Sequence, residues 1–209
     1  LCRMLYEEVF YEDSKEFVEE YFKQDIFYNH ILVHTENHNI VSMVQWIPKH
    51  VVFQRKNMII PYLFAVATKT EFRKKGIMGN LLRKVLLDLQ ESQIPFVYLI
   101  PAAKGIYEPY GFRTARRRSE KEHQKLKEQS FNQNKLCVLE KTNFNLYIDE
   151  LLSYVDSKLA FTQDFYIKRD QQYYHKLLRF LSSEGGRIFL YLEQETIKGY
   201  GFTEKKEDT

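Results

Sequence analysis

The residues best suited to chemistry run from Arg73 to Gly79, in the order Arg73, Lys74, Lys75, Gly76, Ile77, Met78, Gly79. They lie between an apolar stretch ending at Thr68 and a run over residues 77–91 in which Ile77, Leu81, Val85, Leu86 and Leu89 share one helical face. A helix that starts here leaves its first N–H groups without internal partners, and its dipole adds positive potential at the same point. Gly76 and Gly79 let a ligand approach the backbone without meeting a Cβ. Arg73, Lys74 and Lys75 add three cations. The chemistry is anion binding, and a pyrophosphate suits such a place. The same residues also suit a basic helix start that holds no ligand.

A second stretch, residues 98–112 (YLIPAAKGIYEPYGF), carries Tyr107 just after a strand end. A tyrosine with its ordinary pKa of about 10 is protonated at neutral pH, so it can hand a proton to a leaving thiolate. With 15 tyrosines in the chain, a packed aromatic is the competing reading, and Tyr110 is the nearest rival for the acid role. His30, His34 and His38 recur every four residues, but Ile31, Leu32 and Val33 between the first two mark a strand, so no metal site is expected.

The elements that must position these residues follow from periodicity. Residues 1–24 read as helix, with Ser14 able to cap a second helix inside the stretch. Residues 30–35 and 40–47 read as strands joined by the turn ENHN, and 50–55 could continue the sheet. Residues 57–68 form a long apolar strand in which Pro61 marks an edge or a bulge. After the helix 77–91, residues 95–100 read as a short buried strand. Hairpins followed by one strand–helix–strand crossover predict a mixed α/β sheet. Residues 113–135 are polar and basic, with Arg116, Arg117, Arg118, Lys121, Lys125 and Lys127, and read as a linker or excursion. Beyond them, helices over 146–159 and 170–182 precede a hairpin over 187–193 and 196–202, which echoes the helix-then-hairpin order of the first half.

Composition excludes several classes. Hydrophobic residues at 44%, with 15 tyrosines and 16 phenylalanines, suffice for a core, so a disordered chain is excluded. A net charge of +3 is too small to argue for nucleic-acid binding. Cys2 and Cys137 form no motif, which suits a reducing, cytoplasmic setting, and no apolar run reaches the length of a membrane span. The first residue is Leu1 and the chain stops in a charged run, so a piece of a longer protein is expected.

Taken together, FAVAT with RKKGIMG resembles the signature strand and the R/Q-x-x-G-x-G/A pyrophosphate loop of the GNAT superfamily of acyl-CoA N-acyltransferases. IYEPYGF resembles that family's Y-x-x-x-G-F segment, and the helix–hairpin echo resembles the duplicated architecture of the enhanced-intracellular-survival branch. The resemblance implies a mixed-sheet GNAT domain over 1–115, a linker over 116–135 and an incomplete, degenerate second unit over 136–209 that binds no CoA. It implies acetyl-CoA as cosubstrate and transfer of its acetyl group to a primary amine, with no metal. Val66, Ala67 and Thr68 would hold the pantetheine arm and thioester. Arg73, Lys74, Lys75, Gly76, Ile77, Met78 and Gly79 would cradle the pyrophosphate, and Tyr107 would be the general acid. Met78 departs from the family's Gly or Ala, and Pro101 and Ala102 replace its strand-end asparagine. In that branch the C-terminal carboxylate serves as base, a role not assigned here to Thr209.

Other readings stay open. A non-catalytic CoA-binding or partner-binding module would explain Met78 and the missing base. A weaker alternative is nucleic-acid binding through 113–127. Trp46, Tyr62 and Phe64 could wall an acceptor pocket, and Glu19, Glu20 and Asp25 could attract a cationic amine. The sequence does not give the oligomeric state, and the resemblance allows a homo-oligomer; membrane and nucleic-acid partners are not expected.

Overall fold

Ser14 divides the N-terminal stretch. In the computed structural model, which describes residues 1–115, 136–183 and 185–203, helix α1 (Cys2–Val9) ends before a tight loop and α2 (Lys15–Glu20) begins after it. The Ser14 hydroxyl accepts from Phe17 N at 3.1 Å, which satisfies one of the orphan amides of the first turn. The Tyr6 hydroxyl donates to Asp13 Oδ2 at 2.8 Å and closes the loop between the helices. The helix does not run on uniformly to residue 24. A π-helical turn (Tyr21–Asp25) and a 3₁₀ turn (Ile26–Tyr28) follow α2.

The first sheet has the strand order β1-β2-β3-β4. Strands β1 (His30–Glu36) and β2 (Asn39–Phe53) pair antiparallel about Asn37 and His38, both with positive φ. A two-residue turn of this kind matches the right-handed strand twist. Gln54 and Arg55 repeat it between β2 and β3 (Lys56–Thr68). Residues 50–53 thus continue β2, whereas Gln54 and Arg55, expected to continue the sheet, form the turn. Helix α3 (Ile77–Glu91) buries Leu81, Leu82 and Val85.

Two expectations need correction. The strand over 95–100 shrinks to β4 (Tyr98–Leu99), parallel to β3 through Tyr62↔Tyr98 and Leu63↔Leu99. It is half-buried rather than buried, and Ile100 is 80% exposed. Pro95 and Pro101 flank it and offer no N–H to a ladder, which limits its length. The irregularity in β3 is at Ala65, not Pro61: Ala65 has φ 46° inside the strand. The faces of the strand change phase there. Leu63 belongs to the core beneath α3, whereas Phe64 and Ala65 both pack on the α1–α2 side. Past Ala65 the order inverts, with Val66 on the α3 side and Ala67 on the other.

The chain divides into two compact units. Leu1–Val51 and the chain from Met58 to the end of the first described stretch form one; Val52–Asn57 and the described residues from Leu136 onward form the second. In the second unit β5 (Leu136–Leu139), β7 (Arg187–Glu193) and β8 (Thr196–Thr203) make an antiparallel sheet in the order β5-β7-β8. Helix α4 (Phe144–Thr162) buries Phe144, Ile148, Leu151 and Val155, a single helical stripe. Helix α5 (Gln171–Ser183) adds Tyr174, Leu178 and Leu181 to the same core. The short strand β6 (Phe165–Ile167) lies between the helices in sequence. Gln54 N donates to Asp164 O at 2.8 Å, within this unit. The basic stretch with Arg116, Arg117, Arg118, Lys121, Lys125 and Lys127, and the terminal Thr209, lie outside the described residues. Among the described residues no helix is long and apolar enough to cross a membrane.

Burial pushes the hydroxyl pKa of Tyr6, Tyr62, Tyr98 and Tyr174 above the usual tyrosine value. The folded protein therefore keeps protons that the unfolded chain releases at about pH 10. This stabilisation is complete below that pH and is lost as pH rises through the folded values. Thermal unfolding followed by circular dichroism should show a midpoint that falls steeply above about pH 10. A midpoint unchanged between pH 9 and 11, values chosen to bracket a pKa of about 10, would refute it.

Candidate active site at the start of helix α3

Strand β3 delivers its last residues to the loop before α3. The Ser42 hydroxyl, fully buried on β2, donates to Ala67 O at 2.9 Å and lies 2.8 Å from the Thr68 hydroxyl. Lys69 N donates to Val41 O at 2.9 Å. A 3₁₀ turn over Thr70–Phe72 comes next, and then the seven residues that the spacing singled out. Arg73 Nε donates back to Thr68 O at 3.0 Å, so this arginine braces the loop. Ala67 O and Thr68 O thus each accept a hydrogen bond within the protein.

The loop then opens at the helix. Lys74 and Gly76 both have positive φ, 60° and 78°. Gly76 is the N-cap residue and carries no side-chain cap. Only glycine holds φ near 78° without strain, and a Cβ built there would meet nothing within 4 Å. The space beside Gly76 is open, and the amides of Ile77, Met78 and Gly79, in the first turn of a fifteen-residue helix, have no intrahelical partner. Arg73, Lys74 and Lys75 are all exposed around it. Lys75 Nζ lies 4.7 Å from the Phe72 ring centroid.

Gly79 also has a packing role. A Cβ there would stand 2.3 Å from the Tyr110 hydroxyl and 3.0 Å from its Cζ. Gly79 is buried, and its missing side chain makes room for Tyr110. Arg83 lies over the same tyrosine ring at 5.3 Å. Met78, where the family pattern has a small residue, is half-buried.

Tyr107 is half-buried and packs with Val66, Tyr110 and Phe112 against the cluster formed by Leu63, Leu81 and Leu82. Its ring meets Phe112 edge-on at 5.8 Å. Burial, and secondarily the nearby Tyr62, push its pKa above the usual value. The phase change at Ala65 is what brings Val66 to this side of the sheet. The structure therefore gathers Val66, Tyr107 and the first turns of α3 into one cluster.

It does not gather the three aromatics expected to wall an acceptor pocket. Phe64 stacks on Tyr62 at 5.8 Å, on the α1–α2 side. Trp46 lies on the α3 side, stacked on His30 at 5.3 Å. It lines a cleft of about 290 Å³ with Pro61, Asp88, Leu89 and Ile94. That cleft meets the far end of α3, roughly 18 Å along the helix from Gly76 at 1.5 Å per residue. His34 lies 3.0 Å from Glu36, and His38 sits in the hairpin turn. Among the described residues no group of three metal-ligating side chains is present. Glu19 pairs with Arg3 at 2.9 Å, and the Asp25 side chain lies outside the described residues.

Sequence reasoning missed a buried polar network on the α1–α2 side. Gln45 is fully buried; its Oε1 accepts from the Tyr21 hydroxyl, and Asn29 Nδ2 donates to that hydroxyl at 2.8 Å. The available signal was Gln45 itself, a polar residue inside the apolar run VSMVQW.

Residues 2–115 match the acetyltransferase (GNAT) domain family. The chain belongs to that family. No curated protein matches it. Among solved structures it resembles a conserved protein of unknown function from Enterococcus faecalis, described as a probable N-acyltransferase, with TM-score 0.68 and 17% identity over 95% of this chain and 50% of that one. It also resembles a GCN5-related N-acetyltransferase from Anabaena variabilis, with TM-score 0.67 and 18% identity over 96% of this chain and 50% of that one. A GCN5-related N-acetyltransferase from Kribbella flavida gives TM-score 0.63 at 12% identity, over 99% and 51% of the two chains. The chain thus spans about half the length of these structures, and the likeness shows a shared fold.

The close approach of Gly79 and Tyr110 yields a stability test. Gly79→Ala should destabilise the protein by about 1–3 kcal/mol, the usual range for overpacking. Tyr110→Phe removes the nearest atom and should recover most of that loss in the double variant. Urea denaturation of the four proteins checks this; additive losses would show that the two positions do not collide.

Proposed function

We propose that this chain carries an acetyl-CoA-dependent N-acetyltransferase that acts on a primary amine. The observation that carries the reading is the uncapped first turn of α3 behind left-handed Gly76, with open space at Gly76 and three exposed cations beside it. An acyl-CoA pyrophosphate satisfies those donors and that charge together. The residues present fit the substrate at this point. The arrangement of helix pairs and hairpins in both units supports placement in the two-unit, enhanced-intracellular-survival type. The hairpin turn at Gln194 and Glu195 has the same paired positive φ as Asn37 and His38. In each hairpin the register shifts at the same distance before the turn, after His34 and after Tyr191.

In the proposed reaction the neutral amine nitrogen attacks the thioester carbonyl. Backbone N–H groups near Val66 stabilise the oxyanion. As the C–N bond forms and the C–S bond breaks, Tyr107 donates its hydroxyl proton to the departing thiolate. Its raised pKa keeps it protonated across the working range. The proton lost by the incoming ammonium leaves to a base that is not assigned here.

Calorimetric titration with acetyl-CoA tests the site. The wild type should bind saturably, and a Lys74→Glu, Lys75→Glu double variant should bind at least roughly tenfold more weakly, the worth of one or two charge-assisted contacts. Absence of binding to folded wild type would sink the assignment. Tyr107→Phe should bind acetyl-CoA normally and lose roughly 10²–10⁴-fold in turnover against an amine panel. In the wild type the alkaline fall in turnover should lie above about pH 10, because a neutral Tyr107 with a raised pKa is the active form. Full turnover by Tyr107→Phe would remove it as the acid.

A further inference from the structure

We propose that Arg169 of the second unit is the core of an oxyanion site for a carboxylate. Arg169 lies in the loop between β6 and α5, half-buried. Its Nη1 donates to the Tyr174 hydroxyl at 3.4 Å and to the Tyr200 hydroxyl. Its Cζ lies 5.3 Å from the Tyr173 ring centroid and 5.8 Å from that of Tyr200. Tyr174 is fully buried in the core of the unit, so the guanidinium is held against a fixed surface.

What is missing around this arginine points to a ligand. Among the described residues no carboxylate forms an ion pair with it. The adjacent Asp170 carboxylate is engaged elsewhere, accepting Tyr173 N at 2.7 Å at the start of α5. Both hydrogen bonds to Arg169 fall on Nη1, leaving the Nε and Nη2 donors without a protein acceptor among the described residues. A guanidinium oriented by aromatic rings, with one donor edge free, has the fork geometry that takes a carboxylate through two parallel bonds. A single positive charge balances a monoanion. The flanking rings of Tyr173 and Tyr200 favour a carboxylate carried on an apolar or aromatic group.

The test is nuclear magnetic resonance of the arginine Nε–Hε signals of the whole chain, with Arg169→Lys used to assign the signal. Sodium acetate and sodium phosphate replace chloride at constant ionic strength. We expect a saturable shift of the Arg169 signal with acetate, half-complete in the millimolar range, while exposed Arg83 shifts only linearly. Tyr200→Phe, which removes one orienting bond and retains the ring, should weaken the response roughly tenfold. An Arg169 signal that follows Arg83, or one that saturates with phosphate in preference to acetate, would overturn the proposal.

Discussion

The left-handed conformation of Ala65 is the constraint on which the first unit depends. In a regular strand, alternate residues keep to one face, so a single-residue phase change reassigns every side chain beyond it. Here it moves Val66 to the α3 side and Ala67 into the core beneath α1 and α2. An L-residue in that region costs about 1–2 kcal/mol. Burial and hydrogen bonding further along the strand offset that cost: Ala67 becomes nearly fully buried, and Thr68 reaches Ser42 on the neighbouring strand. The end of β3 is thereby fixed where the chain enters the loop before α3.

From that anchored end, the loop and helix α3 divide the work between their two glycines. Gly76 is required by backbone conformation, since its φ of 78° turns the chain into the helix and leaves the first amides open. Gly79 is required by packing, since Tyr110 occupies the place of its side chain. Arg73 is a brace, tied to Thr68, while Lys74 and Lys75 remain on the surface as charge. The same cluster of α3 residues holds Tyr107, so the proposed acid and the proposed phosphate cradle share one rigid support.

The second unit repeats the hairpin geometry but not the loop. Its turn and register shift match those of β1 and β2, and its helices bury one continuous stripe onto a three-stranded sheet. Among the described residues of this unit, Arg169 stands among tyrosines, far in sequence from the glycine-bearing start of α3.

Local chemistry made much of this legible in the sequence alone. The Ser14 cap, the Asn37–His38 turn, the face of α3 and the glycine-bearing loop all follow from nearest-neighbour rules of capping, turn geometry and periodicity, and the structure shows each of them. Tertiary structure decided what those rules do not reach. The bulge fell at Ala65 because two different cores compete for successive residues of one strand, whereas Pro61 is only a local signal. Trp46 and Phe64 parted because strand parity and the bulge set their faces, not their shared aromatic character. Gly79 faces Tyr110, thirty-one positions later in the chain, and Arg169 meets Tyr200 by the same kind of long-range closure. Such contacts depend on how elements pack, and no local pattern of residues encodes them.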